Sequence, residues 1–97
     1  MGARDPAYLQ RVRELGCVVC RYVLGLSDLP PAEAHHLFDA HERDDYLAAP
    51  LCGGAGGHHR GPMGFHGLGG ARGFQRVYKL SEAQLLALTL RAMNEAS

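Results

Sequence analysis

Residues 32–66 read AEAHHLFDAHERDDYLAAPLCGGAGGHHRGPMGFH, and the fold turns on this stretch. Ala34-His35-His36-Leu37-Phe38 reads as a short strand or hairpin arm. Residues 39–45, which include His41, form a polar turn. Tyr46 to Leu51 is a second short apolar strand running into Cys52, and Pro50 marks it as an edge strand or its end. The spacing predicts a two-stranded antiparallel hairpin over roughly 32–38 and 46–51. Ten of the 13 glycines lie between residues 53 and 73, together with His58, His59 and His66. Glycine this dense cannot carry a regular helix throughout. The region is a loop held by something, or a short helix flanked by loops.

Helices are expected on both sides of this stretch. Asp5 can cap a first helix, Pro6 suits its first position and Gly16 can close it. Tyr8, Leu9, Val12 and Leu15 then fall on one face. Residues 74–78 start another helical piece. Ser81 with Gln84 makes a capping box for a last helix over 81–96. Leu85, Leu86, Leu88, Leu90 and Met93 give that helix a broad apolar face, suited to a core or a dimer contact. The expected fold class is α+β, in a single domain over residues 1–97.

Composition narrows the function classes. The chain has 97 residues, 46% of them apolar and 21% charged, an ordinary globular balance. Ten basic and ten acidic residues cancel, which excludes a chain-wide basic coat. No run approaches the ~18 apolar residues of a membrane span. The N-terminus lacks the apolar stretch of a signal peptide, which points to the cytoplasm. Charge is unevenly placed all the same. Residues 27–45 hold six acids and one base, Arg43. Residues 46–81 hold no acid and carry Arg60, Arg72, Arg76 and Lys79, so this half is the one expected to meet phosphate.

Three cysteines and six histidines in so small a chain argue for metal. An odd cysteine count argues against a disulfide framework. Cys17-x-x-Cys20 can chelate zinc from a tight knuckle, with sulfur about 2.3 Å from the metal. A redox pair has the same spacing, but the βαβ context for one is missing. A hairpin would carry Cys52 back beside the knuckle, and His58 is the nearest fourth ligand. A Cys3His structural zinc accounts for all three cysteines. His35-His36 is a second constellation. Adjacent residues on a strand point to opposite faces, so one can bind a metal while its neighbour faces another part of a site.

CxxC, then Ala34-His35-His36-Leu37, then Asp45 ahead of Pro50-Leu51-Cys52, then His58-His59 and His66, together resemble the HNH endonucleases. These belong to the ββα-metal, or His-Me finger, superfamily. The pattern is similar to that of small phage and prophage HNH proteins, including the nuclease domain of the phage recombination-enhancement function. The resemblance covers residues 17–78. It implies a ββα-metal finger with a zinc knuckle. By order, it makes His35 a ligand of a catalytic metal and His36 the general base. Asp45 stands at the middle position, usually Asn, which braces the loop carrying the base. His58 then takes the structural zinc and His59 the catalytic metal, with His66 as a third ligand. The glycines between Cys52 and His58 make this closing motif longer than the family's.

The expected activity is therefore metal-dependent hydrolysis of DNA phosphodiesters by an endonuclease or nickase. Its cofactors are a structural Zn2+ and a catalytic divalent ion: Mg2+, Mn2+, Zn2+ or Ni2+. Three imidazoles favour zinc, nickel, cobalt or manganese over magnesium, which prefers oxygen. Arg60, Arg72, Arg76 and Lys79 would hold DNA. The resemblance implies phage replication, recombination or packaging proteins as partners, and no membrane is expected. Two other classes compete: a zinc-stabilised nucleic-acid-binding module without catalysis, and a redox CxxC protein.

Overall fold

A computed structural model describes residues 2–38 and 43–96; His41 of the expected polar turn lies outside them. The first helix, α1 (Pro6–Glu14), starts as its sequence dictates. The Asp5 carboxylate accepts from the Tyr8 amide at 3.0 Å and Pro6 fills the first turn. Gly16 leaves the helix at φ 81°. Cys17 and Cys20 follow on a π-helical turn spanning Val19–Val23 and the residues just before it. The Arg21 amide closes onto the Cys17 carbonyl at 3.0 Å. The chain between the first helix and the hairpin is thus helical at its start, over Val19–Val23.

The hairpin forms from β1 (Ala32–His36) and β2 (Ala48–Cys52), paired antiparallel with His35 opposite Ala49 and Ala32 opposite Cys52. Both strands differ from the expected bounds. Phe38 takes a left-handed φ of 62°, which ends β1 early, and its amide donates to Glu82 at 2.6 Å. The Leu47 amide closes a turn on the Asp44 carbonyl at 2.9 Å, so β2 starts at Ala48 and runs through Cys52. Every residue of β2 is buried. Pro50 is tolerated because, among the described residues, the sheet has two strands, each with a free edge.

The glycine-rich segment winds into successive tight turns before α2 (Ala71–Tyr78). The Phe65 amide returns to the His58 carbonyl at 2.7 Å and the His66 amide to His59 at 3.0 Å. Glycine permits this because backbone touches backbone: a Cβ on Gly57 would strike the Cys52 carbonyl, and one on Gly67 the Gly61 carbonyl. Helix α3 (Glu82–Ala96) opens on the expected capping box, with reciprocal Ser81 and Gln84 bonds of 2.7 and 3.1 Å. Its buried residues are Leu85, Thr89 and Ala92, while Leu90 is half exposed.

The architecture is α+β, and its core joins the cysteines to Val18, Leu51, Phe65, Phe74 and Leu85. Among the described residues, no helix is long and apolar enough to cross a membrane.

Candidate metal centres and cleft

The register of the hairpin sets the first centre. It brings Cys52, at the end of β2, to Cys17 and Cys20, and the turn after Cys52 adds His58. The Cys20 and Cys52 sulfurs are 3.8 Å apart. His58 Nδ1 lies 3.5 Å from Cys17 Sγ, 3.4 Å from Cys20 Sγ and 3.1 Å from Cys52 Sγ. A tetrahedral zinc with bonds of about 2.3 Å to sulfur and about 2.0 Å to nitrogen spaces its ligands by about 3.8 and about 3.5 Å. The sulfurs are too far apart for a disulfide, whose bond is about 2.05 Å. The four residues can hold a metal ion such as zinc. Burial pushes the Cys17 and Cys20 thiols up, Cys20 to about 12. A metal must therefore displace protons here, so its binding strengthens with pH.

The second cluster is His35, His59 and His66, whose ligand atoms lie within 4.8 Å of one another. His35 projects from β1, and the other two come from the turns before α2. The ring centroids of His35 and His59 are 5.0 Å apart, and those of His59 and His66 are 4.9 Å apart. Phe65 packs on His35 at 4.1 Å and closes its inner side. Burial, with His59, His66 and His36 close by, pushes the His35 pKa down to about 3. Its ring is then neutral near pH 7, the form that ligates. His35 Nε2 is buried and has no hydrogen-bond partner among the described residues. Such a nitrogen costs about 1–3 kcal/mol when left unpaired, and a cation between the three rings would satisfy it.

His36 turns away from this cluster, as strand alternation requires. Its Nε2 meets Asp45 Oδ1 at 2.9 Å. The other Asp45 oxygen accepts from the Asp5 amide at 2.7 Å, so the start of α1 anchors the carboxylate. The His36 bond holds the Asp45 carboxyl below the usual carboxylate range. Asp45 therefore touches His36 itself; the expectation was that it would brace the loop.

A cleft of about 500 Å3 opens over these groups, lined by His35, His36, His59, His66, Arg43 and Arg60 among others. Of the four expected DNA-binding cations, only Arg60 lines it. Arg72, Arg76 and Lys79 are exposed along α2 and its C-terminal cap. The sequence reading missed two residues. Arg43, the lone base of the acidic stretch, lines the cleft. Glu33 accepts from His59 Nδ1 at 2.7 Å, and its place two residues before His35 on a strand was the available signal.

Comparison of the chain with protein-family models, curated proteins and solved structures finds no match.

Proposed function

We propose that the protein is a metal-dependent DNA endonuclease of the HNH class, with its hairpin, glycine-rich turns and α2 forming a ββα-metal finger. One observation carries this reading. A histidine paired with a carboxylate shares a cleft with three further histidines grouped as metal ligands and with two arginines. A zinc-stabilised binding module would need only the Cys3His cluster.

Hydrolysing a phosphodiester requires an activated water, neutralisation of the charge growing on phosphate, and help for the leaving oxygen. His36 supplies the first. The Asp45 carboxylate accepts a hydrogen bond from Nε2–H, which leaves the Nδ1 lone pair to take a proton from water. His35, His59 and His66 would hold a divalent ion. Such an ion, when bound, acts as a Lewis acid toward the phosphate and the leaving oxygen. Arg43 and Arg60 face the cleft and would bind the phosphate. Arg72, Arg76 and Lys79 would follow the flanking backbone, positioning DNA without reading its sequence.

Plasmid nicking by purified protein across Mg2+, Mn2+, Co2+, Ni2+ and Zn2+ tests the reading. Conversion of supercoiled to open-circular DNA that depends on the added metal is expected. One metal per chain and no cleavage with any ion would overturn it and leave the binding module.

Two substitutions probe the parts. His59→Ala should lose one of two metals and most cleavage, while far-ultraviolet circular dichroism stays native; unchanged metal content would remove His59 from the cluster. Arg60→Ala and Arg72→Ala should each lower the salt slope of DNA binding by about one unit. Only Arg60→Ala should also slow cleavage of bound DNA. Equal slowing by both would place the scissile phosphate elsewhere.

A further inference from the structure

Glu33 lies outside the nuclease machinery described so far, yet its carboxylate reaches into it. Glu33 and His35 are two residues apart on β1 and share one face of the strand. Oε1 of Glu33 is 2.7 Å from His59 Nδ1 and 3.5 Å from Arg60 Nε. One oxygen thus contacts both a cluster histidine and a cleft arginine. The Arg60 contact by itself is an exposed ion pair, a kind worth about 0–1 kcal/mol. The His59 contact is different, because the His59 side chain is only 7% exposed. Without Glu33 the Nδ1–H would lose its acceptor in a place with little water.

The backbone after the first metal centre supports the same carboxylate. A Cβ added at Gly53, the residue following Cys52, would come within 2.9 Å of Glu33 Cδ. The bare glycine lets the side chain lie flat across the end of the hairpin. The Gly53 amide is fixed there by the Pro31 carbonyl at 3.3 Å.

We propose that Glu33 is a positioning residue of the three-histidine metal site, holding His59 as the Nδ1–H tautomer with Nε2 free to ligate, and holding Arg60 at the rim of the cleft. The proposal rests on the reading of His35, His59 and His66 as a metal site. A ligating imidazole that donates its other N–H to a carboxylate is fixed in orientation and is a stronger donor to the metal. Glu33 does both for His59. It also ties the ligand to the arginine, so metal and phosphate are received in one registered geometry.

The test is a Co2+ titration of the zinc-loaded protein, followed by visible absorption, with zinc content measured on the same samples. The wild type should bind one Co2+ beyond its zinc, and His35→Ala should abolish that binding. Glu33→Ala should weaken it by about 10- to 100-fold, the usual effect of losing an outer-sphere partner, with zinc content unchanged. Glu33→Gln keeps an acceptor and loses the charge, so it should fall between Glu33→Ala and wild type. Gly53→Ala, which displaces the carboxylate without removing it, should also weaken Co2+. Wild-type Co2+ affinity in Glu33→Ala would overturn the proposal while leaving the site. Failure of the wild type to bind a second metal would overturn the site reading and the proposal with it.

Discussion

Cys20→Ser should unfold the protein. Cys17, Cys20 and Cys52 are free and buried, and they sit within the core that also holds Leu51, Phe65, Phe74 and Leu85. No disulfide joins them. The hairpin end, the π-helical turn and the glycine-rich turns converge on this point. Zinc binding supplies about 10–16 kcal/mol of folding free energy in small zinc domains at pH 7. Net stabilities of domains are only about 5–15 kcal/mol. Losing one thiolate therefore removes a contribution as large as the whole margin. Circular dichroism and zinc content of the variant check this, and a strong chelator should act likewise on the wild type. The chelator should work more readily at lower pH, because protons compete for thiols whose affinity for them burial has raised. A native spectrum with unchanged zinc would remove the structural assignment.

What the sequence disclosed about the fold was mostly local chemistry. The Asp5 cap, Pro6 and the Ser81–Gln84 box depend on neighbours within one helical turn, so a single sequence carries them. The Cys3His group was legible for another reason: a hairpin has few ways to return, and most of them place Cys52 near Cys17. On α3 the expected apolar face holds at Leu85, Leu86 and Leu88, which lie in or against the core, and departs at Leu90, which is half exposed while Thr89 is buried. Helical spacing puts Leu85, Thr89 and Ala92 together, and the Thr89 hydroxyl satisfies itself on the Leu85 carbonyl at 2.8 Å. It can therefore be buried at little cost.

The candidate site was legible in its ligands and illegible in their supports. His58 and His59 are divided by a turn in which adjacent side chains diverge, and the order of the motif already suggested that division. Glu33 lies 26 residues from its partner His59. It sits in a stretch whose excess of acids reads as solvated surface. Arg43 is hidden by the same context. Long-range pairs of this kind depend on register, and composition weighs against them.

His36→Ala should leave both metal centres, the fold and DNA affinity intact, yet slow cleavage by a factor of about 10² to 10⁴, the usual contribution of a positioned base. The side chain is not part of either cluster, so its loss removes no ligand. It lines the cleft, and among the described residues its bond to Asp45 is the one imidazole–carboxylate pair outside the two clusters and their Glu33 contact. Cleavage by the wild type should fall toward acid pH, since a protonated imidazole cannot accept a proton from water. Asp45 should keep its charge over neutral and mildly acid pH, because the His36 bond holds its carboxyl below the usual range. Asp45→Asn removes that charge and weakens the hold on the His36 ring, so it should slow cleavage. The same variant should cost less rate than His36→Ala, since the base remains. The measurement is a single-turnover nicking rate between pH 5 and 9 with metal content determined on each sample. Near-wild-type cleavage by His36→Ala would exclude His36 as the base. Loss of a metal in that variant would make His36 a ligand, and the water would then need a different proton acceptor in the cleft. Wild-type cleavage by Asp45→Asn would separate Asp45 from proton transfer and reduce its part to anchoring the strand end against α1.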